Sequence, residues 1–390
     1  MNHSQRNSNL ELLRIIAMLF IIAHHLVTFA LDGLPFVADN LNTFVLYFIT
    51  MFGKMGVNLF IFISAYFMIK SKFTLRKLLI LGGEVYFYSF LFLAIGILFL
   101  TPGVLSIPTV GASLLPISHD LYWFVTCYIV LMLFSPFLNK FINGISKNTF
   151  IKVIILSVLL WSVFPTILPP MTIYPAQDVF IGNNFQYSPL IWFFVLYLIG
   201  SYIRLYVNVD KLTYNKLISG FVISVIIVFI GTCIFGFLDL NSTAHLYWSL
   251  PMTNILDNTL YMSFFYENKF FALTASIFLF LIFLKRKEFS NKYINYIAGS
   301  ALGVYLIHGN PVVGGFTWPP FNFSSFYHSP YLILMGIAIP IIVYIVCSGI
   351  DIIRRLTIEK LWIWIVDTKL DSVLSKWIND ITNYLTEKVF

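Results

Sequence analysis

Arg14 and His25 stand eleven residues apart within one apolar run, LRIIAMLFIIAHH. If the run is helical, that separation falls about 20° short of whole turns, so both side chains share a face, roughly 16 Å apart along the axis. His24 then points about 100° away from His25. An arginine near one end of a membrane span can hold an anion or a carboxylate. A neutral histidine deeper in the span can take a proton from a hydroxyl. Together they suit transfer from a negatively charged cytosolic donor to a hydroxyl acceptor, and His25 is the expected base. They also suit a proton relay in a transporter. Glu11, one turn before Arg14, could simply neutralise it, and His24 reads as a packing or carbonyl-bonded residue.

An ionisable residue in a span costs about 2.5–3.5 kcal/mol on insertion scales, so the few that occur mark sites. Lys54 and Asn58 fall in the second apolar segment, Glu84 in the third, and His308 closes the ninth. Glu84 is expected to orient His25 or to pair with Lys54, and a structural ion pair between spans fits equally. Ser64 and Asn58 can donate in a pocket or join helices, as polar residues do in membranes. Tyr305 and His308 suit either substrate contact or packing near the outer interface. Asp120, Tyr122 and Trp123 open the fourth span, where Tyr and Trp read first as an interfacial belt. Cys127, Cys233 and Cys347 each sit in apolar runs without disulfide or metal-ligand spacing, so no metal is expected.

These residues must be held by membrane helices. The chain is 59% hydrophobic and 11% charged, whereas a soluble domain carries roughly 25% charged residues. The +7 net charge is spread over several loops rather than gathered on one face, which argues against nucleic acid. The apolar-length rule predicts an all-α polytopic bundle of about ten spans, near 10–31, 43–69, 77–100, 121–139, 151–168, 189–207, 216–237, 268–284, 293–309 and 331–350. The first is interrupted by Arg14 and two histidines, so a retained span is expected rather than a cleaved signal. With the N-terminus cytoplasmic, the inner loops hold Lys70, Lys72, Arg76 and Lys77, then Lys140, Lys147 and Lys152, then Arg204, Lys211 and Lys216, then Lys285, Arg286, Lys287 and Lys292. The outer segments 32–42, 101–120, 165–188, 238–267 and 310–330 contain no Lys or Arg. Lys54 and Lys269 alone fall outside this pattern, which places both termini inside.

The span domain is expected over 1–353 and a cytoplasmic tail over 354–390. In the tail, Leu370, Val373, Leu374, Trp377, Ile378, Ile381 and Leu385 recur at helical spacing, as in an amphipathic helix on the inner leaflet. The outer segments carry Tyr174, Tyr187, His245, Tyr247, Trp248, Asp257, Tyr261, Tyr266, Glu267, Trp318, Phe321 and Tyr327, which could bind a glycan or anchor at the interface. No internal repeat is apparent, which weakens an inverted-repeat transporter reading.

The order of motifs resembles the membrane-bound acyltransferase family 3, O-acetyltransferases of cell-surface glycans. Arg14 and His25 match its R-x10-H motif. GKMGVNLFIFISAYFM at 53–68 is similar to its G-V-x-x-F-F-x-x-S-G-[FY] span, with Ala65 for the usual glycine. FTLRK at 73–77 resembles the start of its basic F-x-x-R-R-x-x-R loop, with Lys77 for the second arginine and Ile80 for the third. LYWFVTCYIVLMLFSPFLN at 121–139 and GVYLIH at 303–308 resemble its W-F-[LV]…S-P-F and G-[IV]-Y-L-[IL]-H segments. The resemblance implies acetyl-CoA as donor, with Lys72, Arg76 and Lys77 at its phosphates. Charges there would equally serve to set topology. It further implies a glycan or lipid-linked glycan acceptor, a bacterial plasma membrane, and catalytic roles for His25 and Arg14; Glu84 is the third catalytic candidate, from its place inside a span. Ser64, Trp123, Tyr305 and His308 are the candidate substrate contacts. No soluble esterase-like domain of the kind some members carry is expected. A lipid-linked-compound transporter or flippase, or a glycan polymerase, is the competing reading.

Overall fold

Lipid offers no partner to backbone N–H and C=O groups, so runs this apolar close their hydrogen bonds within helices. The computed structural model describes residues 7–30, 41–99, 106–119, 121–167, 188–241, 262–370, 373–374 and 376. In chain order the helices are α1 (Ser8–Ala30), α2 (Leu41–Met68), α3 (Leu75–Phe99), the short α4 (Ile107–Leu114), α5 (Trp123–Gly144) and α6 (Lys147–Val158). A π turn over Leu159–Val163 joins α6 to α7 (Phe164–Ile167). Then come α8 (Pro189–Tyr206), α9 (Tyr214–Asn241), the single turn α10 (Met262–Phe265), α11 (Phe270–Lys285), α12 (Lys292–Ala298), α13 (Ala301–His308) and α14 (Pro311–Thr317). Finally α15 (Leu332–Leu356) and α16 (Ile358–Ile365) lead to a π turn over Val366–Leu370. No strand occurs among the described residues.

Eight helices among them are long and apolar enough to cross a membrane, the continuous α6–α7 unit counted as one. The expected spans at 268–284 and 293–309 differ. The first is the 16-residue α11. The second is broken at Gly299–Ser300 into α12 and α13. Carbonyls freed by such a break need a donor in the membrane. Arg355 supplies it, its Nη1 donating to the Tyr296 carbonyl at 2.9 Å and to Ser300 Oγ at 3.1 Å.

Two prolines receive similar compensation. Pro136 within α5 has no N–H for the Met132 carbonyl, and Ser135 Oγ donates to that carbonyl at 2.7 Å. Pro165 follows the π turn and leaves the Trp161 carbonyl without its helical partner, and Asn268 Nδ2 donates there at 3.1 Å.

α2 is the most enclosed of the long helices, while α3, α6–α7 and α9 turn most of their surface outward. α1 crosses α2 in tight contact. A Cβ on Gly53 would lie 2.2 Å from His24 Cβ, and one on Gly56 would lie 2.5 Å from the Ala17 carbonyl oxygen. Small residues permit this approach of backbones. The Ala65 departure is absorbed across the bundle by α8, where a Cβ on Gly200 would meet the Ala65 methyl at 2.7 Å.

α15 runs without interruption past 353 to Leu356, so the position expected to open the tail lies inside a bundle helix. Arg354 is buried there. α16 then folds back on α3. Trp362 Nε1 donates to the Leu79 carbonyl at 2.9 Å, and its indole occupies the space a Cβ on Gly83 would need. Of the expected amphipathic positions, Trp377, Ile378, Ile381 and Leu385 lie outside the described residues.

Candidate active site

One face of α1 builds the site. Arg14, Met18, Ile21 and His25 follow helical spacing and line a single cavity of about 330 Å³, joined by His24. α2 contributes Gly53, Lys54, Val57, Phe60 and Ser64, and α5 contributes Trp123, Phe124 and Tyr128. Ala298, Gly299, Ala301, Leu302 and Tyr305 come from both sides of the α12–α13 break. The cavity therefore runs beside α1 from the arginine to the histidine, about 16 Å of helix. Broken helices in membranes line cavities in this way, because their backbone is satisfied by protein rather than lipid.

His25 has a defined partner. Its Nδ1 lies 3.0 Å from His308 Nε2, and His308 Nδ1 lies 2.6 Å from the Val304 carbonyl oxygen. A carbonyl only accepts, so His308 must carry its proton on Nδ1. In a neutral His308 the Nε2 lone pair is then the acceptor, and His25 must donate from Nδ1. The chain of bonds leaves His25 with a bare Nε2. This assignment follows from the network of partners. Trp318 packs edge-on against the His308 ring, with centroids 6.2 Å apart.

His24 behaves as a packing residue that touches the cavity. Its Nδ1 is 2.8 Å from Thr50 Oγ1 and 3.0 Å from the Thr50 carbonyl oxygen. Arg14 lines the cavity while bonded to Glu11. The second cation of the cavity, Lys54, lies 3.5 Å from Glu267 and stacks 4.7 Å over the Tyr266 ring. Each cation thus enters the apolar bundle with a carboxylate, which offsets its insertion cost.

Glu84 is not the partner of either residue the sequence suggested. Its carboxylate pairs with Arg354 Nη2 at 3.0 Å, whereas Lys54 pairs with Glu267. Arg354 also binds Asp351 at 2.8 Å and Glu359 at 3.2 Å, and Tyr88 donates to Asp351 at 2.8 Å. Gly303 leaves room for Asp351, since a Cβ there would sit 2.2 Å from Oδ1. This knot ties α3, α13, α15 and α16 together. Its geometry is that of an interhelical brace, the structural alternative for Glu84.

Ser64, Trp123 and Tyr305 line the cavity, and His308 sits behind His25. Asn58 joins helices instead. It donates to the Glu267 carbonyl at 2.8 Å and accepts from Trp192 Nε1 at 2.9 Å. Tyr122 is buried rather than interfacial, donating to the Leu306 carbonyl at 3.1 Å and accepting from Asn310 Nδ2 at 2.6 Å. Trp318 and Tyr327 are likewise buried, which removes them from an exposed glycan surface. Asp120, Tyr174, Tyr187, His245, Tyr247, Trp248, Asp257 and Tyr261 lie outside the described residues.

At the Arg14 end, Lys72 and Lys77 are exposed, with Lys77 Nζ donating to the Lys72 carbonyl at 3.3 Å. Arg76 forms a two-pronged pair with Asp367, at 2.6 and 3.1 Å. That bond holds the exposed Asp367 carboxyl below its ordinary range. Among the described residues no His, Cys, Asp and Glu cluster is arranged to hold a metal.

Sequence reasoning missed the Lys54–Glu267 pair, the Asp351–Arg354 half of the brace, and Tyr128 in the cavity wall. The spacing of Asp351 and Arg354, three apart on a helix, was a signal for the second. Tyr128 stands one turn from Phe124, and their rings stack 6.1 Å apart.

A family model described as an acyltransferase domain, that of the acyltransferase 3 family, matches residues 7–348. No curated protein and no solved structure matches the chain.

Proposed function

This chain belongs to the acyltransferase 3 family and is a multi-pass membrane acyltransferase, and within that family we propose that it moves an acetyl group from cytosolic acetyl-CoA to a hydroxyl of a cell-surface or exported polysaccharide. The observation that carries the reading is the single cavity lined by both Arg14 and His25. The donor lies along it with the phosphates at the Arg14 end, near Lys72, Arg76 and Lys77. The thioester reaches the His25 layer. Ser64, Trp123 and Tyr305 contact the substrates. The membrane is a bacterial plasma membrane, with both termini cytoplasmic and the acceptor, free or lipid-linked, reaching the cavity from outside.

Chemically, His25 Nε2 takes the proton of the acceptor hydroxyl as its oxygen bonds to the acyl carbon. The carbon–sulfur bond breaks, and the thiolate leaves with the proton that His25 returns. The products are the acetyl ester and free coenzyme A. General-base assistance of this kind contributes about 10²–10⁴-fold. A two-step course through an acyl-histidine gives the same products.

The test follows labelled acetyl-CoA in membranes of the producing cell, with the chain present or deleted. Chain-dependent label in envelope glycan, lost on mild base treatment that cleaves esters, supports the reading. Chain-dependent solute uptake without acetyl-CoA consumption would replace it with transport.

A further inference from the structure

The family motif pairs Arg14 with His25, yet a group that stabilises charge at a carbonyl beside His25 must lie nearer than three helical turns away. Negative charge develops on the thioester oxygen as the acceptor attacks, and fixed donors beside that oxygen are usually the largest contribution to such catalysis. Arg14 sits about 16 Å down the axis and is held by Glu11. It can steer the anionic end of a donor but cannot reach a carbonyl beside His25 Nε2.

Lys54 occupies the right layer. Its neighbour Gly53 presses against His24, close enough that a Cβ would sit 2.2 Å from His24 Cβ. Lys54 and His25 line the same cavity from facing helices. The Lys54 ammonium is fixed from behind by Glu267 at 3.5 Å and by the Tyr266 ring at 4.7 Å. Glu267 is itself wholly buried, and its segment is tied to α2 through the Asn58 bond to its carbonyl. The cation is thereby positioned before substrate arrives.

We propose that the Lys54 ammonium, positioned by Glu267, is the catalytic group that holds the thioester oxygen while His25 draws the proton from the acceptor. This rests on the acyl-transfer reading above. The oxygen gains charge as the acceptor oxygen bonds to carbon, Lys54 donates a hydrogen bond to it, and the charge returns to the carbonyl as the thiolate departs. Lys54 itself neither gains nor loses a proton.

The experiment measures initial rates of thiol release from acetyl-CoA in membranes of the producing cell, for wild type, Lys54→Met and the double variant Lys54→Met/Glu267→Gln. Lys54→Met should lower kcat by about 10²–10³-fold, with the acetyl-CoA KM within about twofold. The double variant removes both charges, so it folds without a lone buried carboxylate, and it should remain as slow. Recovery of the wild-type rate in the double variant would show that Lys54 only neutralises Glu267, and overturns the proposal. So does an unchanged kcat in Lys54→Met. Either failure with an active wild type leaves acyl transfer standing, whereas a wild type that releases no thiol overturns both.

Discussion

His25 Nδ1 lies 3.0 Å from His308 Nε2, and this one contact decides which nitrogen of His25 is available to a substrate. The Val304 carbonyl fixes the proton of His308, and His308 fixes the proton of His25. A backbone carbonyl and a second histidine thus do here what an orienting carboxylate does in other catalytic histidine arrangements. Of the three roles open to Glu84 in the sequence, the structure has the ion pair between helices, with Arg354.

In the proposed mechanism His308 is a positioning residue. His308→Phe keeps a ring of similar size but cannot accept from His25. It should lower kcat by about 10²-fold, the low end of what a general base contributes. The KM for acetyl-CoA should stay near wild type. His308→Gln, whose side-chain oxygen can accept, should recover part of the rate. Steady-state thiol release checks both, and equal rates for Phe and Gln would assign His308 to packing alone.

Arg76 is expected to be restrained by the segment after α16. Asp367→Asn should free it and lower the acetyl-CoA KM, while Arg76→Ala should raise it. The Asp367 carboxyl is held below its ordinary range by the Arg76 bond. Its folded pKa is thus below the unfolded value of about 3.9. The bond's contribution is present above that unfolded value and disappears as pH falls through the lower, folded one. Near neutral pH the restraint is complete, so the KM change in Asp367→Asn should not vary between pH 6 and 8, on the order of two units above any Asp titration. A KM unaffected by either substitution leaves Arg76 as a topology signal.

The α1–α2 crossing leaves no room for a methyl group. Gly56→Ala would bring Cβ to 2.5 Å from the Ala17 carbonyl oxygen, which is backbone and cannot rotate away. A cost of about 1–3 kcal/mol is expected, as for overpacked cores. It should appear as a lower midpoint of thermal unfolding in detergent. Gly53→Ala presses on His24 and should also lower activity, because His25 is the next residue.

Ala65 and Gly200 form a compensating pair. Gly200→Ala should destabilise by about 1–3 kcal/mol, since its new methyl meets Ala65 at 2.7 Å. Ala65→Gly in the same chain should restore much of that loss. A double-mutant cycle in detergent measures the coupling, and additive effects would contradict the contact.

Much of this was legible in the sequence. The shared face of Arg14 and His25 follows from an eleven-residue spacing, and the cavity does run along it. The long spans follow from apolar length, and the role of His24 from its 100° offset. What periodicity does not carry is which helices meet. The partners of Glu84 and Lys54 were not legible, because Glu267 stands 213 positions from Lys54 and Arg354 stands 270 from Glu84. Arg354 and Arg355 looked like tail charges because a span was expected to end at about twenty apolar residues. In fact α15 continues, and the two arginines brace a broken helix and an acidic knot. The break at Gly299–Ser300 was hidden for the same reason, since α12 and α13 together read as one apolar run.

The central claim is that His25 is the base of acyl transfer from acetyl-CoA, and one rate tests it most directly. His25→Asn can still donate to His308 Nε2 through its amide but has no basic nitrogen. Thiol release from acetyl-CoA should fall by about 10²–10⁴-fold, with the protein's abundance and thermal midpoint in the membrane close to wild type. A well-folded His25→Asn chain that releases thiol and labels glycan at the wild-type rate would contradict the account.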